Sequence, residues 1–303
     1  MYDIKSFYEA KNVEDAVEAL QKDENAIIIS GGTDVLVKVR EGKDAGKSLV
    51  SIHEIEDLKG VEIDNDGTIF IKSATVFYDI TNNDIIKKHI DFLGDACDEV
   101  GGPQIRNMGT IGGNICNGAT SADSASSMQV LNAKAILKGP NGTREVNVVK
   151  DFYIGPGRTV KDRSEVCLGF KIEKKEYEGF KGSYLKYGKR KSMEIATLGC
   201  AVMLKLEDDN KTISDFKIAY AVAAPTPIRC PQTEQFAKGQ DVTNEIFLKE
   251  LANKAFSECN PRSSWRASKE FREQIIKELA KRATTKAYEK CVGKYKKEVS
   301  VTC

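Results

Sequence analysis

Gly109-Thr110-Ile111-Gly112-Gly113-Asn114-Ile115-Cys116-Asn117-Gly118-Ala119-Thr120-Ser121-Ala122-Asp123 is the stretch on which the reading of this chain turns. A shorter one far upstream, Ile28-Ile29-Ser30-Gly31-Gly32-Thr33-Asp34, uses the same device. Each sets paired glycines beside a hydroxyl residue, so backbone N–H groups can crowd an anion with no Cβ in the way. Two such loops match a ligand with two phosphates, and a dinucleotide is the first expectation. Taken alone, the first loop has two readings, a phosphate site or a strand-to-helix turn with Asp34 capping the helix. The second tips the balance, because Thr110, Asn114, Asn117, Thr120, Ser121, Asp123 and Ser124 bring more polar chemistry than a buried turn requires. A carboxylate such as Asp123 suits ribose hydroxyls.

Working outward, residues 13–20 repeat apolar groups at helical spacing after Asn12, and Ala26-Ile27-Ile28-Ile29 reads as a short buried strand. A helix over 34–39 and a strand over 48–52 complete a β/α unit, with the first loop at a strand's end and a helix's start, where anions bind best. From residue 61 the pattern turns to short strands, with helices expected over 78–86 and 92–100. Strands follow over 133–137, 144–148 and 166–172, with Pro140-Asn141-Gly142 as a hairpin turn. Together these read as a mixed sheet with helices. The charged stretch Glu173-Lys174-Lys175-Glu176-Tyr177-Glu178-Gly179 carries little to bury and is the expected domain boundary. Strands over 199–206 and 218–224 and helices over 244–258 and 269–291 then predict an antiparallel sheet covered by helices. The tail from Gly293, rich in Lys and Glu, is expected to fray.

The chain has 303 residues, 41% of them hydrophobic, enough for two domains with real cores. Forty-six basic against 45 acidic side chains leave a net charge of +1, which excludes an overall field for nucleic acid or an anionic membrane. The apolar runs fall short of the roughly 20 residues a membrane helix needs, and Met1-Tyr2-Asp3-Ile4-Lys5 lacks the apolar core of a signal peptide, so a cytoplasmic location is expected. The eight cysteines contain no Cys-x-x-Cys pair and read as reduced thiols, several of them in the core, not as cluster or zinc ligands. His53 and His89, the two histidines, read as surface or turn residues and offer no histidine metal site or triad.

Two motifs are decoys. Gly42-Lys43-Asp44-Ala45-Gly46-Lys47-Ser48 has three residues between its glycines where a P-loop has four, and a strand follows it. Gly155-Pro156-Gly157 lacks the third glycine of a dinucleotide fingerprint and reads as a structural corner.

The two glycine stretches resemble those of the FAD-binding subunits of the molybdenum hydroxylases, the family of xanthine dehydrogenase and CO dehydrogenase. The resemblance implies an α+β chain. Residues 1–176 would form a two-subdomain FAD-binding domain of the vanillyl-alcohol-oxidase/PCMH type, with a β/α subdomain over 1–57 and a mixed-sheet subdomain over 58–176. Residues 177–303 would form an α+β domain like the C-terminal domain of the CO dehydrogenase flavoprotein. The FAD pyrophosphate would lie on backbone amides of both stretches, which maps the cofactor site to Ile27, Ile28, Ile29, Ser30, Gly31, Gly32, Thr33 and Asp34, and to Gly109, Thr110, Ile111, Gly112, Gly113, Asn114 and Asp123. Ser30 stands where many relatives carry alanine.

A third stretch, Tyr184-Leu185-Lys186-Tyr187-Gly188-Lys189-Arg190-Lys191-Ser192-Met193-Glu194-Ile195-Ala196-Thr197, reads from charge alone as a basic solvated hairpin. The resemblance places it beside the isoalloxazine, with Lys186 touching the flavin and the following loop governing access of nicotinamide or oxygen. A cation at the N1–C2 oxygen edge stabilises the reduced, anionic ring. Cys167 corresponds to an apolar flavin-contacting position.

Two more segments resemble the separate FAD subunit of the bacterial xanthine dehydrogenase group, Ala223-Ala224-Pro225-Thr226-Pro227-Ile228-Arg229-Cys230 and Pro261-Arg262-Ser263-Ser264-Trp265-Arg266-Ala267-Ser268-Lys269-Glu270-Phe271-Arg272. Trp265 among arginines is either an interface cluster or the packing of a helix start. The implied function is electron transfer from a two-iron two-sulfur small subunit through FAD to NAD+, with substrate hydroxylation on a molybdopterin-binding large subunit. In this chain the flavin carries the chemistry, with no catalytic side chain and no metal. The alternatives are the FAD subunit of a nicotinate, CO or aldehyde hydroxylase, or a non-catalytic nucleotide-binding scaffold. The reductases of aromatic acyl-CoA carry a cluster-bearing insertion that these scattered cysteines do not match.

Overall fold

Asn12 accepts a hydrogen bond from the Asp15 N–H at 2.9 Å and opens α1 (Val13–Lys22), whose Ala16, Val17 and Leu20 are buried. They pack in one core with residues from β2 (Ala26–Ile29) and β3 (Lys47–Ser51). A computed structural model describes residues 2–295 and shows these two strands in a parallel three-stranded sheet with residues 4–9, β1, ordered β1-β3-β2. β1 (Ile4–Glu9) gives no alternating signal because it is an edge strand with five of six residues exposed. α2 (Val35–Arg40) follows the first glycine loop.

Residues 58–176 hold a five-stranded sheet in which every pairing is antiparallel. Its order is β4 (Val61–Ile63), β5 (Ile69–Lys72), β10 (Val166–Ile172), β6 (Lys134–Gly139) and β7 (Gly142–Asn147). A small hairpin, β8 (Tyr153–Gly155) and β9 (Arg158–Thr159), stands apart with Pro156-Gly157 at its tip. The single helix expected over 78–86 is two, α3 (Phe77–Asn82) and α4 (Asp84–His89). Asn83 between them is extended, and its side chain caps α4 by accepting from the Ile85 and Ile86 N–H groups. α5 (Asp91–Asp98) and α6 (Pro103–Arg106) lead into the second glycine stretch.

That stretch is not a loop. Thr110 caps a helix that starts inside it, α7 (Ile111–Cys116), and Asp123 begins a second, α8 (Asp123–Val130), buried along its whole length. Gly112 permits this: a Cβ there would sit 2.6 Å from the Ser73 Cβ and carbonyl oxygen. The absent side chain lets α7 lie against the turn after β5.

After Lys174–Glu176, a single 3₁₀ turn, come β11 (Lys181–Tyr187), β12 (Leu198–Leu206), β13 (Ile213–Ala221) and β14 (Ile228–Arg229), antiparallel in that order. Alternation along β12 separates two faces. Leu198, Cys200, Val202 and Leu204 join the core formed with α9 (Pro231–Ala237), α10 (Glu245–Ser257) and α11 (Lys269–Cys291). Ala201 and Met203 join the core of the preceding unit, with Phe92, Ala125 and Met128. We propose the domain boundary at 176/177, in the charged stretch; there Glu173 pairs with Lys134 at 2.6 Å and Glu176 with Lys217 at 2.7 Å. The tail expected to fray lies outside the described residues from 296 onward, as does Cys303. Among the described residues no helix is long and apolar enough to cross a membrane.

Candidate functional site

The loop after β2 and the helix α7 meet edge to edge, and glycine makes the meeting. A Cβ on Gly31 would overlap the Met108 carbonyl oxygen, so no other residue fits without parting the two segments. Gly32 has φ of +72°, a left-handed conformation that turns the chain into α2. Side chains then staple the segments together: Asn117 donates to Asp34 at 3.1 Å and accepts from the Lys38 ammonium at 2.6 Å. Asp34 does not cap α2 as its position predicts; its carboxylate is committed to Asn117.

Between them opens a cavity of about 650 Å³, within the size range of ligand pockets. Its wall includes Ile27, Ile28, Ser30, Gly31, Gly32, Thr33, Asp34, Gly109, Thr110, Gly112, Gly113, Asn114, Asp123 and Cys167. Three expected residues do not line it. Ile29 is buried at the end of β2 and its carbonyl accepts from Ile52 N–H, Ile111 is in the core, and Lys186 stands behind Asp123. Met193, Glu194 and Ile195, from the loop that the resemblance sets beside the isoalloxazine, are at the cavity wall; sequence reasoning missed the pair Gly101 and Gly102 there, and the cations Lys38, Lys161 and Arg163. The pair had a signal, since Val100-Gly101-Gly102-Pro103 is a further double glycine. The cations had none.

The start of α7 offers no free amide, although Thr110, Ala119 and Ser121 on the cavity wall have N–H groups with no acceptor among the described residues. In the second stretch, Gly109 N–H goes to Ile105, Ile111 to Thr75, Gly112 to Ser73, Gly113 to Thr110 Oγ1 and Asn114 to the Thr110 carbonyl. In the first, no protein acceptor among the described residues meets the N–H groups of Gly31, Gly32, Thr33 or Asp34. The Ser30 hydroxyl is buried with no partner. Such groups cost free energy unless a ligand or water satisfies them. Four consecutive unmet amides, an unmet hydroxyl and three nearby cations fit a diphosphate, and α7 contributes a close wall.

Asp123 anchors the other part of the wall. Tyr184 donates to its Oδ1 at 2.7 Å and Lys186 to its Oδ2 at 3.0 Å, while the Lys186 ammonium also reaches the Glu99 carbonyl at 2.7 Å. Burial pushes the Asp123 carboxyl up to about 6, against the opposing pull of Lys186 and Tyr184. Burial, followed by the Asp123 charge, pushes the Tyr184 phenol well up, so it stays a donor. The basic segment after β11 folds back over this end, with the Met193 N–H on the Gly101 carbonyl and Arg190 on Glu194 at 2.9 Å.

Trp265 is 77% exposed, its ring under Arg266 at 4.3 Å and beside Lys189 at 5.4 Å. The start of α11 is packed instead by buried Arg272, held by the Arg262 and Thr197 carbonyls and Ser264. His53 sits in a turn and His89 ends α4 against Tyr177, both half-buried. Among the described residues no group of three His, Cys, Asp or Glu could hold a metal ion.

Residues 2–172 match the family model described as the FAD binding domain in molybdopterin dehydrogenase, and 183–287 match the CO dehydrogenase flavoprotein C-terminal domain. The chain is 37% identical over 294 residues to the xanthine dehydrogenase FAD-binding subunit of Escherichia coli O157:H7, covering 97% of this chain and 99% of that one. It is 29% identical to the glyceraldehyde dehydrogenase medium chain of Sulfolobus acidocaldarius, over 92% of this chain and 96% of its relative. Among solved structures, a chain of the carbon monoxide dehydrogenase from Hydrogenophaga pseudoflava that lacks the Mo-pyranopterin moiety of its cofactor superposes with a TM-score of 0.90. It shares 27% identity over 96% of this chain and 99% of that one.

Proposed function

We propose that this chain, which belongs to the FAD-binding medium subunits of the molybdenum hydroxylases, serves a xanthine dehydrogenase and passes electrons from an iron–sulfur partner to NAD+. The observation that carries the reading is the cavity of about 650 Å³, lined mostly by residues of the stretch 2–172 that matches an FAD binding domain, in a chain whose 37% identity to a xanthine dehydrogenase subunit runs nearly end to end. When bound, FAD supplies the exchange between single electrons and a hydride.

This chain's residues do the holding. The amides from Gly31 to Asp34 and the Ser30 hydroxyl take the diphosphate, with Lys38, Lys161 and Arg163 balancing its charge. Asp123 is the acceptor at the other part of the wall, and Tyr184 and Lys186 fix it in place. Lys186 therefore acts on the cofactor through Asp123. The loop with Met193, Glu194 and Ile195 screens that end from water and sets what approaches it. A molybdopterin-binding large subunit and a two-iron two-sulfur small subunit complete the complex, and the substrate is chosen on the large subunit.

The test is division of labour. The purified chain with FAD should catalyse NADH-dependent reduction of an artificial acceptor and should not hydroxylate xanthine. Xanthine oxidation should return when the two partner subunits are added. Xanthine oxidation with NAD+ by the single chain would overturn the proposal, as would a reconstituted complex that oxidises nicotinate or an aldehyde and leaves xanthine untouched.

A further inference from the structure

Cys116 and Cys167 are 51 positions apart in sequence and meet in the cavity wall. Cys116 closes α7; Cys167 lies on β10 at the irregularity before Gly169, with its Sγ 3.8 Å from the Gly169 carbonyl. The backbone there cannot shift freely, since a Cβ on Gly169 would already sit 2.5 Å from the Ile71 carbonyl. Ser73 joins the two elements, donating its N–H to the Leu168 carbonyl of β10 at 3.0 Å and accepting from the Gly112 N–H of α7 at 2.8 Å, so Cys116 and Cys167 share this part of the wall.

Their surroundings favour one thiolate. Lys161 acts on both sulfurs, and its ammonium is held by the Asp162 and Glu165 carbonyls at 2.9 Å with no ion pair among the described residues. The Tyr153 hydroxyl, buried beside Cys116, has no partner. Interaction with Cys167 holds the Cys116 thiol below its ordinary value, and that with Cys116 pushes Cys167 well above. One sulfur is thus the nucleophile and the other the resolving thiol. The remaining thiols differ. Burial pushes Cys97 and Cys200 far up, and Cys230, in contact with Cys259, feels Glu258 and no cation.

We propose that Cys116 and Cys167 form a reversible dithiol–disulfide couple in the wall of the cavity, oxidised by a hydroperoxide. The Cys116 thiolate attacks the outer peroxide oxygen: an S–O bond forms, the O–O bond breaks, and the alcohol or water leaves after taking a proton, with Cys116 now a sulfenic acid. Cys167 then attacks the Cys116 sulfur. The S–S bond forms, the S–O bond breaks, and hydroxide leaves as water with the Cys167 proton. Two thiols lose two electrons and one hydroperoxide gains them. A dithiol reductant reverses the change. The couple needs no particular ligand in the cavity and stands independently of the proposed function.

The full chain, treated with stoichiometric hydrogen peroxide at neutral pH, should lose about 2 Da, with two of its eight thiols gone and a peptide joining Cys116 to Cys167. Dithiothreitol should restore both. Cys167→Ser should instead accumulate a dimedone-trappable sulfenic acid on Cys116, Cys116→Ser should show neither product, and Lys161→Gln should slow the reaction severalfold. A cross-link found only at Cys230–Cys259, or a Cys116 that stays reduced while other thiols react, would overturn the proposal. Should Cys116→Ser fail to fold, trapping in Cys167→Ser decides alone.

Discussion

Asp123 and Lys186 share a buried ion pair, with side chains 7% and 5% exposed, and this sets what substitutions there can report. The reading of Lys186 as a cation on the flavin makes Lys186→Met a mild change; the pair makes it severe, because the Asp123 carboxylate is left buried with only Tyr184. A loss of about 3–5 kcal/mol is expected, seen as a lower urea midpoint. The folded Asp123 carboxyl titrates at about 6 against 3.8 for a free one, so between those values the folded state holds the extra proton. Stability therefore falls as pH rises from about 4 to about 6, by up to about 3 kcal/mol. Urea midpoints across that range should slope downward in the native chain and lose that component in Asp123→Asn; parallel slopes would contradict the assignment. The glycines separate just as sharply. Gly112→Ala should destabilise the cofactor-free chain by about 1–3 kcal/mol, because its Cβ strikes Ser73. Gly113 is exposed, and a Cβ there meets only Thr110 Oγ1 at 3.0 Å. Gly113→Ala should fold normally and bind FAD less tightly, a difference that calorimetry and fluorescence titration resolve.

Among the elements, the strand, loop and helix from β2 to α2 were legible because a four-residue apolar run beside double glycine leaves few options. α7 and α8 were not, because Gly112, Gly113 and a run of serines are poor helix formers and tertiary packing overrides them. The same run hid where the phosphate amides are: a helix whose first N–H groups go to Ser73, Thr75 and Thr110 has none to offer. What joins α7 to the first loop is the bridge from Asp34 through Asn117 to Lys38, three polar residues that no periodicity links. Asn117→Ala removes both bonds. FAD affinity should drop roughly tenfold, the equivalent of about 1.4 kcal/mol, with circular dichroism unchanged. Unaltered affinity would mean that the loops hold their spacing by glycine packing alone.

Across the molecule, the C-terminal sheet is a wall shared by two cores, and its close approach to α5 depends on Gly182, where any Cβ would overlap the Phe92 ring. Gly182→Ala should cost about 1–3 kcal/mol in thermal or urea unfolding; a neutral result would mean that the two units are not packed this tightly. Many of the strands and the longer helices were readable from periodicity, and α11 (Lys269–Cys291) was placed to the residue, since long amphipathic helices and alternating strands write their burial into the sequence. Contacts between distant segments were not readable: Lys186 behind Asp123, Cys116 against Cys167 and Arg272 in place of Trp265 each depend on how sheets stack. The central claim is that the cavity between the two glycine segments holds FAD. Titration of the purified full-length chain with FAD, followed by flavin absorbance, should saturate at one cofactor per chain and should fail in folded Gly31→Val. A native chain that stays colourless, or a Gly31→Val variant that folds and keeps its full flavin spectrum, would contradict it.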